Sequence, residues 1–403
     1  MENIGRIGLN GDLVNGGFGD LRCQSLESYF IVEIGSQALE LQITKSPIHQ
    51  ISKSTADMKD LKYLIAYLVP GSALLGLAWQ GLWSWLTVAL VFGILPIIEL
   101  FTPESSKNIQ ESLEESRSRR IFFDWLLYAN APLLFGIVGW YLWTVSGQSL
   151  SVSEVLGLTL GAGIMAGAGG INVAHELGHR AREGEQLLAQ IMLLPSLYQH
   201  FFVEHNRGHH KNVATDEDPA SARLGENVFA FWFRSISDGW RSAWVLERER
   251  LIKAGQTVAS WSNAMVRYSL FQGLWLAFIF FYFGWKGMLG AVAVAVVSFL
   301  LLETVNYIEH YGLRRKLLPT GRPEPVSPRH SWNSDHELGR IFLYELTRHS
   351  DHHYKSTRKY QILRHLDESP QLPFGYPTSI VISLIPPLWF RLMNQRAIRH
   401  TSA

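Results

Sequence analysis

Cysteine is all but missing from this chain of 403 residues, where Cys23 stands alone. A single thiol excludes a disulfide framework within the chain and any cysteine-rich metal site. Charge of one sign is as scarce. Lys and Arg number 36 against 35 Asp and Glu, for a net charge of +1, so no global field would draw nucleic acid. Residues 1–57 lack a positive segment followed by an apolar core and do not read as a signal peptide. They mix Gly, Asn, Ser and short apolar runs without strong periodicity. We expect an N-terminal extension there, loosely ordered or upstream of a natural start at Met58, with a small ordered cap as the alternative. Internal repeats and low-complexity tracts are missing as well.

What the chain has is segregation. Hydrophobic residues make up 47% and charged residues 18%, and the apolar ones gather in blocks of about 20, the length a helix needs to cross about 30 Å of hydrocarbon. Six such blocks run over about 61–80, 83–101, 121–145, 152–173, 264–283 and 288–311. The fourth is rich in small residues from Gly157 to Gly170, which suits close packing of backbones. Trp83, Trp85, Trp140, Tyr141 and Trp143 cluster near block ends, where interfacial aromatics belong. Pro195 and the polar Gln190, Gln199 and His200 interrupt the apolar stretch 183–203, so a helix at the interface, or one that enters partway, is expected there. The 102–120 loop carries Lys107, Arg117, Arg119 and Arg120, and most other basic residues fall in 174–263 and 312–403. Positive loops stay cytoplasmic, so both termini and both long stretches are expected on that side.

Fifteen histidines are present, and nine fall into four groups on this cytoplasmic side. His175 and His179 stand in NVAHELGHR, His205, His209 and His210 in EHNRGHH, His310 in NYIEHYGL, and His349, His352 and His353 in RHSDHH. Spacings of three and four put two imidazoles on one helix face, and an adjacent histidine swings about 100° away toward a second metal. Taken singly, an i,i+4 pair is often a solvated surface pair and His310 a satisfied helix-end residue. Jointly they point to metal. Nine imidazoles exceed what one ion accepts, so two ions with four and five ligands are the natural partition. Imidazole suits zinc, copper, iron and nickel alike, but two ions with open positions and neutral ligands suit iron that binds and reduces dioxygen. Glu176, Glu204, Glu309 and Asp351 flank the groups and are candidates to orient ligands from behind. His49, His200, His330, His336, His365 and His400 lack such spacing and are taken as solvated or structural. HELGH also satisfies the zinc-protease pattern, with Glu176 as base, but that reading leaves seven clustered histidines without a role. A histidine-based metal transporter would need ionisable residues in mid-span, and the blocks have almost none.

The set H-x3-H, H-x3-H-H and H-x2-H-H resembles the histidine boxes of membrane desaturases and hydroxylases. HELGHR, EHNRGHH, NYIEHYGL and TRHSDHH together resemble the integral-membrane alkane 1-monooxygenases, NYIEHYGL being the most discriminating, and TDEDPASARLGEN (215–227) resembles the segment after the second box. The resemblance covers roughly residues 58–390. Arg180 stands where the first box often ends in Lys, and Thr347 where the last often has Gln. It implies an all-α membrane bundle of six spans over 58–403 in a bacterial inner membrane, with a cytoplasmic helical cap holding the nine histidines on two iron ions, without haem or flavin. It also implies terminal hydroxylation of medium-chain n-alkanes to 1-alkanols with O2, using electrons from rubredoxin and its reductase. Rubredoxin iron needs four cysteines, so that carrier would be a separate protein. Fatty-acid or aromatic-methyl hydroxylation, or desaturation, is the alternative within the same chemistry.

Overall fold

The computed structural model of the chain describes residues 23–26, 29–34, 37–42 and 58–402. The chain divides into two units, Met1–Thr55 and Ala56–Ala403. In the first, strands Cys23–Leu26, Tyr29–Ile34 and Gln37–Gln42 form an antiparallel meander, with Tyr29 opposite both Leu26 and Gln42. This sheet has no counterpart in the all-α expectation. The rest of the expected extension lies outside the described residues.

The second unit is helical, and its strand pairing is confined to isolated bridges among the described residues. Among the described residues, five helices are long and apolar enough to cross a membrane: Met58–Trp79, Gly81–Glu99, Ile121–Gly147, Val152–Gly178 and Ala264–His310. The first two meet at a tight turn where Gln80 and Gly81 both have φ 52°. Glu154 fixes that turn to the start of the fourth helix. Its carboxylate accepts the Gly81 N–H at 2.9 Å and the Ser151 N–H at 2.8 Å, while the Ser151 hydroxyl accepts the Glu154 N–H, a reciprocal cap.

Val152–Gly178 is the most enclosed of the five. Its glycines are contact points. A Cβ on Gly157 would come within 2.9 Å of the Ser84 carbonyl, and one on Gly163 within 2.4 Å of Val297. One face therefore meets Gly81–Glu99 and another meets Ala264–His310, at the backbone separation small residues permit.

Ala264–His310 has 47 residues, and at 1.5 Å per residue it would be about 70 Å long if straight, over twice the hydrocarbon thickness. It is not straight: Gly284 has φ 66° and ψ −168°. Packing shows a reversal there. Trp275 lies against Phe135, Gly287 approaches Ser146, and Gly290 is back against Tyr141, with Leu301 then reaching Gly167. The two arms thus run in opposite directions. The fifth and sixth blocks of the sequence are these arms, broken at Gly284 without a loop.

The apolar stretch 183–203 does not form a spanning helix. Glu183–Met192 is ten residues long, exposes Leu187 and Ile191, and is followed by irregular chain. Val228–Lys253 buries Phe231, Ser235 and Ala243 and leaves Phe233 and Trp240 outside. Its Glu247 binds Arg207, Arg250 and the Ala264 N–H at 3.0 Å, which joins the second histidine box to the start of Ala264–His310. After His310 the chain forms only short helices, such as His349–Tyr354 and Tyr376–Ser383, until Pro386–Ser402, which packs Trp389 against Tyr307 and Tyr311. Buried Arg348 holds the intervening loops by donating to the carbonyls of Leu363 at 2.7 Å and Lys107 at 2.9 Å.

Candidate metal centre

Each box arrives on a separate element, at one end of the bundle. His175 and His179 close Val152–Gly178, just beyond a π-helical turn at Ala166–Ile171. A second π-helical turn, His205–His209, carries the second box. His310 ends the last long helix, and His349, His352 and His353 lie on His349–Tyr354. All nine side chains meet in two groups: His175, His179, His205, His210 and His352 in one, and His209, His310, His349 and His353 in the other. Within each group the ligand nitrogens all lie within 4.8 Å of one another.

In the five-membered group, Nε2–Nε2 separations are 2.8 Å for His175–His352, 3.1 Å for His179–His205, 3.0 Å for His205–His210 and 3.2 Å for His210–His352. In the four-membered group they are 3.2 Å for His209–His353, 2.9 Å for His349–His353 and 3.1 Å for His310–His349. A metal–nitrogen bond of about 2.0–2.1 Å, as imidazole makes with zinc, spans about 3 Å between ligands at right angles. Four or five ring nitrogens facing one point cannot all satisfy one another by hydrogen bonding, since a neutral imidazole has one donor and one acceptor. The donor sets therefore fit metal.

The partition differs from simple helical spacing. In the last box the i,i+4 pair His349 and His353 shares a group and His352 turns to the other, as α-helical geometry requires. In the second box the shared pair is His205 and His210, five apart, and His209 turns away. The π-helical turn is the reason, because its wider winding brings i+5 rather than i+4 over residue i.

Burial, reinforced by neighbouring imidazoles, holds His205, His210, His349, His352 and His353 well below the ordinary histidine range, and His179 down to about 3. The rings are neutral and their lone pairs are available to metal. His209 is different. Burial is the largest influence and opposes its charged form, but the Asp218 carboxylate, with Glu204 and Glu303 nearby, lifts it above the ordinary histidine range. Its Nδ1 donates to Asp218 Oδ2 at 2.9 Å, and Asp218 is itself fixed by the Ser221 hydroxyl at 2.6 Å and the Ala220 N–H at 3.1 Å. His310 Nδ1 faces the His330 carbonyl at 3.3 Å.

The four flanking acids have varied positions. Glu309 Oε2 lies 3.2 Å from His349 Nε2, while its Oε1 accepts the Tyr376 hydroxyl at 2.9 Å. Glu176 contacts Arg180 and the Tyr360 N–H, and Asp351 contacts Arg358 and Arg364, so arginines rather than imidazoles take these two carboxylates. Glu204 is buried, and its Oε1 has no hydrogen-bond partner among the described residues. Asp218 was not among the sequence candidates, although it lies within the 215–227 segment. Of the other histidines, His330 and His365 bind carboxylates, His336 lies 3.6 Å from Glu104, and His400 meets the Arg329 carbonyl. His200 is buried against Tyr198, and His49 lies outside the described residues.

A cavity leads away from the histidines. Its walls are apolar, with Val69, Leu95, Ile164 and Phe342 among them, and its polar end presents His175, His205, His349 and Glu309. Both histidine groups therefore face one apolar space.

A family model for fatty acid desaturases matches residues 149–382, more than half of the chain. The chain belongs to that family, and it is an integral membrane protein with a histidine-rich metal site. Within the family it belongs to the alkane 1-monooxygenases. Alkane 1-monooxygenase 2 of Pseudomonas aeruginosa is 39% identical over 80% of this chain and 86% of its own length. The alkane 1-monooxygenase of Pseudomonas putida is 35% identical over 86% and 87%. The hydroxylase component of the Pseudomonas putida xylene/toluene monooxygenase is 27% identical over 85% and 90%.

Proposed function

We propose that this protein hydroxylates the terminal carbon of medium-chain n-alkanes to 1-alkanols, using O2 and electrons from a separate rubredoxin fed by its reductase. The observation that carries this reading is the single apolar cavity onto which both histidine groups open. The higher identity to alkane 1-monooxygenases than to the xylene/toluene enzyme supports alkane over methyl-aromatic substrate.

The nine histidines would hold two iron ions, the group of His175, His179, His205, His210 and His352 one and the group of His209, His310, His349 and His353 the other. Iron bound there supplies reductive activation of O2 and insertion of one oxygen atom into a C–H bond. The chain's own residues bind and aim the substrate. An alkyl chain entering the cavity gains about 0.8 kcal/mol per CH2 removed from water. Such walls offer no hydrogen bond to pick out one methylene, so position along the chain is selected by shape, with only the leading methyl reaching the His175, His205 and His349 edge. Asp218 and the His330 carbonyl orient two ligands through their Nδ1 atoms, and Glu309 lies beside His349. Glu176, Glu204 and Asp351 would support the same backbone from further away.

Six crossings follow if both arms of Ala264–His310 span. The 264–283 and 285–310 arms hold 20 and 26 residues, about 30 and 39 Å of helix. Basic loops then put both termini and the metal site on the cytoplasmic face of a bacterial inner membrane, within reach of a soluble electron carrier. Residues 58–403 form the hydroxylase domain, with 1–57 as an extension.

The test is purified protein assayed for iron and for O2-dependent turnover of octane, a fatty acyl chain and xylene, with rubredoxin and its reductase. Two irons and 1-octanol as the main product are expected. Hydroxylated xylene or an olefin as the main product would replace the alkane reading with one of its relatives.

A further inference from the structure

A second, much smaller chamber, with room for about one water, adjoins the His205 side of the metal centre. It shares Phe201, His205 and Asn306 with the apolar cavity, so the two spaces meet at the same wall from different sides. Its lining is different in kind: Tyr198, Glu204, Ser235 and Glu303 face it.

Glu303 is the unusual member. It is 3% exposed, in the second arm of Ala264–His310. Its carboxylate accepts the Tyr198 hydroxyl at 2.8 Å, the Ser235 hydroxyl at 2.5 Å and the Asn306 amide at 3.3 Å. Three neutral donors hold it, and no ion pair involves it among the described residues. An acid so placed is costly to bury as an ion, and the metal-holding set makes no use of it. Gly239 lines the same chamber from Val228–Lys253, and a Cβ built there would meet nothing within 4 Å. The helix leaves that volume open.

Resting on the hydroxylase reading, the reaction has a proton requirement that the apolar cavity cannot meet. Alkane, O2, two electrons and two protons give alcohol and water, with one oxygen atom entering the C–H bond and the other leaving as water. The two electrons come from a one-electron carrier, one at a time. The protons must reach a site whose substrate side is walled by apolar side chains.

We propose that Glu303 and the polar chamber it faces are the proton-supply route for O2 reduction at this centre. A single water in the chamber carries protons between the Gly239 side and the His205 wall. Glu303 is the positioning residue that accepts a proton from that water and returns it, with Tyr198 and Ser235 holding its carboxyl in the path. Substrate and protons thus approach one centre from separate spaces.

The test uses Glu303→Gln, Glu303→Asp and the plug Gly239→Leu in the full chain. In metal-free protein the infrared carboxyl band that Glu303→Gln removes should shift on transfer to heavy water, and shift more slowly in Gly239→Leu. In iron-loaded protein, Glu303→Gln should keep its iron and its KM for octane. Its kcat should fall by about ten-fold or more, as loss of a positioned acid–base group does, with a larger solvent isotope effect. Glu303→Asp should recover part of the rate, and Gly239→Leu should lower kcat in the same way. The proposal is overturned if kcat and isotope effect are unchanged in both Glu303→Gln and Gly239→Leu, if rate falls only in proportion to lost iron, or if exchange of the band ignores the plug. Failure of the unaltered protein to hydroxylate octane would instead sink the functional reading beneath it.

Discussion

His209 and His210 share a peptide bond, yet their rings join different groups, and so do those of His352 and His353. The spacing of the boxes marks all nine histidines as a set in the sequence alone. Their division was not visible in the second box, because a π-helical turn there pairs His205 with His210. Winding of that kind depends on the surrounding packing and leaves no mark in a count of intervals. Asp218 was hidden for a related reason. It lies nine residues from His209 in irregular chain, and only the fold brings its carboxylate to Nδ1. We expect Asp218→Asn, which keeps volume and removes charge, to lower metal affinity by about 10- to 100-fold. A chelator competition followed by iron content would measure this, and an unchanged affinity would remove Asp218 from the metal support.

Among the elements, Ala264–His310 has the most direct consequence. Hydropathy located both of its arms but placed a turn between 283 and 288, where the structure concentrates the reversal at one residue. At φ 66° and ψ −168° Gly284 occupies a region that essentially only glycine adopts and that costs other L-residues about 1–3 kcal/mol, and a Cβ there would meet no neighbour within 4 Å. Gly284→Ala should therefore destabilise by about that backbone term alone, seen as a lower Tm in detergent with iron content retained. A drop much larger than this would mean the turn packs against more than the structure shows. The connection after His310 was less legible than the spans. Its order comes from buried arginines such as Arg348 reaching carbonyls some 240 positions away, and composition alone marks an arginine as a surface residue.

At the scale of the whole molecule, the helical bundle supplies two ends of a metal centre and the irregular chain supplies the rest. His175 and His310 are fixed by membrane helices, while the boxes at 205–210 and 349–353 come from segments that close over them. Each of those segments contributes to both groups through adjacent residues. Under the two-ion reading, the sites are therefore not independent receptors. Ordering a backbone costs about 1–2 kcal/mol per residue, and the first ion to settle orders the peptides that carry ligands for the second, which then meets a lower cost. Loading should be cooperative, so that half-titrated protein is a mixture of empty and doubly filled chains. Native mass spectrometry of metal-free protein titrated with iron would read this directly, and a dominant singly loaded species at the midpoint would refute it. Cells short of iron would then hold fewer complete enzymes rather than many with one ion each.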